Sequence, residues 1–102
     1  MAFVRIGQFT ALPDTTERLR AIYETEAIPA IRAATGNISA VLLQQHQARD
    51  AFMAITVWST VEDAERYDRS GQAAAMADKI RFAFAGPPML STYDAFGLPQ
   101  QH

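Results

Sequence analysis

The chain has 102 residues, 49% apolar and 20% charged, the composition of one globular domain with a single modest core. Nine Lys and Arg stand against eleven Asp and Glu, a formal charge of −2, so the basic excess that nucleic-acid or anionic-membrane binding needs is missing. There is no Cys, which excludes disulfides, thiolate metal sites and Cys nucleophiles.

The apolar start is broken by Arg5 and Gln8 before a secretory core can form. No run approaches the roughly 18 apolar residues of a membrane span. A soluble, cytoplasmic protein is expected.

Residues 3–10 are rich in β-formers and end at Leu12-Pro13-Asp14, which predicts a first strand. Asp14-Thr15-Thr16-Glu17 reads as a capping box, with Asp14 accepting from the Glu17 N–H. The helix that follows carries Leu19, Ile22, Tyr23, Ala27, Ala30, Ile31 and Ala34 along one face. Pro29 lies inside this pattern and predicts a kink or short break near Ile28. Thr35-Gly36-Asn37 ends the helix, with Gly36 as a left-handed cap.

Residues 38–47 and 51–58 read as strands joined by Ala48-Arg49-Asp50, an antiparallel hairpin. Ser59-Thr60-Val61-Glu62 is a second capping box, opening a short helix through Arg69 with Glu62/Arg66 and Glu65/Arg69 pairs on a solvated face. Ser70-Gly71 interrupts it. A further helical stretch runs to about Ala85, with Ala73, Met76, Ala77, Ile80 and Phe84 on one stripe, and Gly86-Pro87-Pro88 stops it. Residues 89–96 form the last strand and residues 97–102 a frayed tail. The order β-α-β-β-α-β is that of a ferredoxin-like α+β fold, a four-stranded antiparallel sheet with helices on one face.

Such a sheet should be polar on its uncovered side. This one is not. Phe52, Ala54, Thr56 and Trp58 alternate with Met53, Ile55 and Val57; Phe3 and Phe9 oppose Val4 and Ile6. Ile38, Ala40 and Leu42 oppose Val41 and Leu43. At about 25 cal/mol per Å², leaving the second face wet forfeits several kcal/mol. A homodimer with two sheets packed face to face is expected. Phe82 lies off the helix stripe, so it is either exposed or covered from outside its own helix.

The Phe3-Val4-Arg5 strand, Ile28-Pro29-Ala30-Ile31-Arg32, Thr56-Val57-Trp58-Ser59-Thr60, the Ser70-Gly71 break and the closing Thr92-Tyr93-Asp94 resemble the dimeric α+β barrel proteins of the antibiotic biosynthesis monooxygenase type. The resemblance covers about residues 3–96. It implies an apolar pocket between helices and sheet, and either cofactor-independent oxygenation of a small aromatic or quinol-type substrate, heme degradation, or binding without catalysis. The heme-degrading branch uses a strand Asn, the strand Trp and a helix His. Here Trp58 matches the Trp, Gly7 or Gln8 falls at the Asn position, and the His position falls near Ala77, with no His in residues 71–85. Heme chemistry is disfavoured by the missing axial ligand. The polyketide branch works without metal or flavin. Its polar Asn before the Trp is Ala54 here.

The resemblance thus makes Trp58, Gln8 and Tyr67 the candidate catalytic residues, with no metal and no cofactor. Phe52, Ala54, Met76, Ile80, Phe84 and Tyr23 are the candidate pocket lining. Each has a plainer reading. Trp58 suits a core with its N–H satisfied locally; Gln8 suits a solvent-facing or dimer-edge position. Tyr67, Tyr23 and Tyr93 suit amphipathic packing. His46 could shuttle protons but sits near a hairpin tip, and His102 is terminal. Arg5, Arg32 and Arg81 are possible anion partners; Arg5, once buried, calls for a carboxylate, expected from a second subunit. The glycines form no phosphate loop, the two His no metal site, and no Ser lies in a nucleophile elbow. An open cavity beside Trp58 with unpaired polar groups would favour an oxygenase. A wholly apolar one would favour a binder, and one closed by Met76, Phe84 and Phe52 a structural dimer.

Overall fold

A computed structural model describes residues 1–99 of the chain. Strand β1 (Ala2–Thr10) is followed by α1 (Thr16–Ile22), a π-helical turn (Tyr23–Ala27) and α2 (Ile28–Arg32). Strands β2 (Asn37–Gln44) and β3 (Ala51–Trp58) form the hairpin. Helices α3 (Val61–Arg69) and α4 (Gln72–Ile80), a 3₁₀ turn (Arg81–Ala83) and β4 (Met89–Ala95) complete the chain. The sheet order is β2-β3-β1-β4, with every neighbouring pair antiparallel, the expected ferredoxin-like arrangement. The end of the predicted tail, including His102, lies outside the described residues.

The register sorts the sheet into two faces. Phe3 pairs with Trp58, Arg5 with Thr56, Gly7 with Ala54 and Phe9 with Phe52, and these side chains face the helices. Val4, Ile6 and Gln8 pair with Val57, Ile55 and Met53 on the other face, as the alternation predicted.

Local details depart from expectation for physical reasons. The first capping box does not form: the N-cap is Thr15, without a side-chain cap bond, and Asp14 is in the left-handed region at φ 65°. The Thr15 hydroxyl instead donates to the Leu12 carbonyl at 2.7 Å. In the second box the cap is Thr60, not Ser59, and its hydroxyl accepts from the Asp63 N–H at 3.1 Å. Asp63 rather than Glu62 then pairs with Arg66, at 2.7 Å. Pro29 does not break the helix. The preceding turn widens to π geometry, the Ile28 N–H reaching back to the Tyr23 carbonyl, which makes room for the proline ring.

Gly36 has φ 82°, the left-handed cap expected of it, and a Cβ there would overlap the Asp63 carboxylate. Its carbonyl accepts from the Ser59 N–H, holding α2's end against β3's end. Ile38 drops out of the ladder at a bulge between Asn37 and Ser39. The Asn37 amide spans that bulge, donating to the Ser39 and Val57 carbonyls. β2 ends three residues early, because Gln45 N–H bonds Ala51 and Gln44 bonds the Arg49 carbonyl, curling 45–50 into a loop. The last helix stops at Ile80. Phe84 is already extended and bridges Ala11, and the Ala85 N–H donates to Thr10.

Two core clusters fill the space between helices and sheet. One gathers Leu19, Tyr23, Ala27, Phe52 and Ile80; the other gathers Ile31, Ala40, Trp58, Ala64 and Tyr67. Phe82 is covered from outside its own turn, with the Arg18 guanidinium 4.2 Å from its ring centroid. Arg5 finds its carboxylate within the chain, on Asp68 of α3, rather than on a second subunit. No helix among the described residues is long and apolar enough to cross a membrane.

Candidate functional site

Trp58 closes β3 on the helix face and is 1% exposed. Its indole N–H donates to the Thr56 hydroxyl at 2.9 Å, a partner two residues away on the same face of the strand. Tyr67 packs against it with ring centroids 5.5 Å apart. Burial, and secondarily the Asp68 carboxylate, raise the Tyr67 phenol above its ordinary range, so it keeps its proton at neutral pH. A groove of about 260 Å³ between α2 and α3 reaches Tyr67, with Arg66, Ser70 and Thr35 on its walls.

All six expected pocket-lining residues come together in the first core cluster. Tyr23, Phe52 and Ile80 are buried, and Ala54, Met76 and Phe84 pack on them. Phe9 stacks on Phe52 at 5.5 Å and tilts against Phe84 at 5.0 Å. Burial first, and the neighbouring Tyr67 second, push the Tyr23 phenol up to about 12. The compartment is packed with side chains rather than open beside Trp58.

Gln8 lies elsewhere. It pairs with Met53 where Phe3 pairs with Trp58, five residues along the ladder, or about 17 Å, and on the opposite face. At that end of the sheet opens a cavity of about 880 Å³ with walls from both faces, Phe9 and Phe52 from the helix side among them. Gln8, Thr10, Leu43, Met53 and Met89 line it, and the Gly86-Pro87 segment forms a side wall. Its polar side chains are Gln8, Thr10, Gln44 and Gln45; none of its lining residues is charged. The Gln44 amide is committed, accepting from Arg20 and Arg49 and donating to the Arg49 carbonyl. Gln8 is exposed. An exposed amide on an apolar wall can donate to, or accept from, an oxygen on an uncharged ring molecule.

Of the named candidates, then, Gln8 and Phe52 meet at this cavity, and Trp58 and Tyr67 meet at another place. Sequence reasoning missed Thr10, Met53, Met89 and the Gly86-Pro87 wall. Thr10 alternates with Gln8 as the second polar residue on an apolar face, which was a readable signal. In the sequence, Gly86-Pro87 reads only as a helix stop. The remaining candidates have local partners or none of note. Arg32 donates to the Ala40 carbonyl, Arg81 pairs with Asp78, His46 is exposed in the hairpin loop, and Tyr93 is exposed on β4. Among the described residues no group of three or more His, Asp or Glu could hold a metal ion.

The fold recurs in solved structures of low sequence identity. A variant of SnoaB, a cofactor-independent oxygenase from Streptomyces nogalater, superposes with TM-score 0.83 at 15% identity, over 97% of this chain and 98% of that one. A candidate antibiotic biosynthesis monooxygenase from Bordetella bronchiseptica gives 0.82 at 18% identity, over 93% and 97%. Another from Nitrosomonas europaea gives 0.81 at 20% identity, over 92% and 89%. Among curated proteins none matches. These likenesses concern the fold. The sequence itself matches the family model described as antibiotic biosynthesis monooxygenase over residues 2–79, from the first strand into α4, and the chain belongs to that family.

Proposed function

We propose that the protein is a homodimeric, cytoplasmic, cofactor-independent monooxygenase that oxidises a small aromatic or quinol-type substrate with O₂. The observation that carries this reading is the exposed Gln8 amide on the wall of an uncharged, mostly apolar cavity of about 880 Å³, in a chain of this family. An anthrone or hydroquinone that has lost a proton to solvent is an electron-rich anion able to react with O₂ directly. The protein's part is to hold the ring away from water, orient it and bond its oxygen. In this reading Gln8 donates to that oxygen, and Phe52 closes one wall. Trp58 and Tyr67 serve the site at a distance, by fixing the helix side of the sheet.

The test is O₂ consumption by metal-free protein with a panel of anthrones and hydroquinones, comparing wild type, Gln8→Ala and Trp58→Phe. Saturable uptake that falls in Gln8→Ala supports the reading. Uptake no faster than the spontaneous rate across the panel removes it. A second reading, a non-catalytic binding or structural homodimer, is favoured by one observation: the Trp58 N–H is already taken by Thr56 and the space around it is filled.

A further inference from the structure

Two polar residues of one strand, Gln8 and Thr10 of β1, line the cavity of about 880 Å³ together. They are two residues apart, so alternation sends both side chains to the same side of the sheet, roughly 7 Å apart at the strand's rise. Both are exposed. Gln44, which shares the lining, spends its amide on Arg20 and Arg49; among the described residues the Gln8 amide and the Thr10 hydroxyl have no such partner. Gln45, the remaining polar residue of the lining, lies past the end of β2 and outside this repeat.

The neighbours of the two side chains differ. Gln8 sits in a row of apolar residues, with Met53 beside it on β3, Met89 on β4, and Leu43 beyond Met53 on β2. Thr10 pairs with Ala51, which adds only a methyl beside its hydroxyl. The apolar row suits a flat ring, and the flexible thioethers of Met53 and Met89 adapt to one. Amide and hydroxyl can each donate or accept. With hydrogen bonds of about 2.8 Å reaching in from both ends, the pair matches two oxygens on opposite edges of a ring system. Two adjacent oxygens are too close together to meet both.

We infer that Thr10 is a specificity-determining residue: with Gln8 it selects a flat aromatic molecule carrying two oxygens on opposite edges over one carrying a single oxygen or two adjacent ones. This rests on the Gln8 site of the reading above but not on oxygen chemistry. A hydroquinone with its oxygens across the ring engages both side chains from the start. An anthrone engages Gln8 through its one oxygen, and Thr10 only when the opposite methylene has become a carbonyl. Thr10 then marks the edge of the ring at which the second oxygen belongs.

The test is binding without oxygen, read by the fluorescence anisotropy of three naphthalene probes, with circular dichroism as the check on folding. The probes are 1,5-naphthalenediol, with its oxygens on opposite edges, 2,3-naphthalenediol, with them adjacent, and 1-naphthol, with one. Wild type should bind the 1,5-diol about fivefold or more tighter than either of the others, the worth of one added hydrogen bond. Thr10→Val keeps the shape and removes the hydroxyl. It should reduce that preference to about twofold or less, the statistical advantage of two equivalent hydroxyls. Thr10→Ser restores the hydroxyl and should restore the preference. Gln8→Leu should weaken all three probes. Equal affinity of wild type for the 1,5-diol and 1-naphthol overturns the inference, and so does a preference that survives in folded Thr10→Val. Should Thr10→Val fail to fold, Thr10→Ala takes its place under the same criterion. No saturable binding of any probe to wild type, or unchanged binding in Gln8→Leu, ends both this inference and the Gln8 site itself. Absent O₂ uptake alone bears only on the oxygenase reading.

Discussion

Gly36 is fixed by two constraints at once. Its φ of 82° lies where an L side chain is strained, and a Cβ would collide with Asp63, itself tied to Arg66. Gly36→Ala should cost about 2 kcal/mol or more, seen as a lowered urea midpoint; an unchanged midpoint would remove both constraints. Tyr23 supplies a pH signature. Its phenol ionises near pH 12 in the folded chain against an ordinary 10.0, so the folded state holds the proton more tightly. The contribution is complete below pH 10 and is lost as pH rises from 10 towards 12, amounting to about 3 kcal/mol at most. Tyr23→Phe should therefore flatten the alkaline fall of the urea midpoint between pH 10 and 12; an equally steep fall would assign it elsewhere. Tyr67, raised in the same direction, leaves some slope. At this scale the sequence was half legible. Gly36 could be read from its place between a helix and a strand. That Trp58 spends its N–H on Thr56 needs the rotamers of both side chains, which alternation does not supply.

At the scale of elements, hydrophobic alternation and glycine or proline punctuation located the strands and helices, because core burial dominates where a segment lies. End geometry was less legible, because several groups compete for the same orphan donors. Ser59 and Thr60 are both good caps, and only the backbone shows Thr60 extended with its hydroxyl on the Asp63 N–H. Thr60→Ala should destabilise by about 1 kcal/mol in urea unfolding, and Ser59→Ala by much less; the reverse order would contradict the assignment. The π turn before Pro29 was likewise beyond sequence pattern. A kink, a break and a widened turn all accommodate a missing donor and a ring, and here the widened turn keeps Tyr23, Ala27 and Ile31 all buried.

At the scale of the molecule, the face opposite the helices governs the functional account. Its apolar pattern was plain from the alternation of Val4, Ile6, Met53, Ile55, Val41 and Leu43. The cavity was not, since it depends on the Ala85 N–H bond to Thr10 swinging the Gly86-Pro87 segment across the sheet's end. An association through so neutral a face should be insensitive to salt. Sedimentation should give twice the 11.2 kDa chain mass in both dilute buffer and molar sodium chloride, and dissociation by salt would point to charged contacts instead.

The central claim is oxygen transfer without a cofactor. Its most direct test is product mass spectrometry after metal-free protein and an anthrone react under ¹⁸O₂. Oxidation of the ring methylene to a carbonyl consumes one O₂, places one oxygen in the product and releases the other as water. The account predicts one ¹⁸O per product molecule, formed faster than in protein-free controls and slowed in Gln8→Ala. Product formed no faster than in those controls, or carrying oxygen from solvent water introduced during the reaction itself, would contradict it.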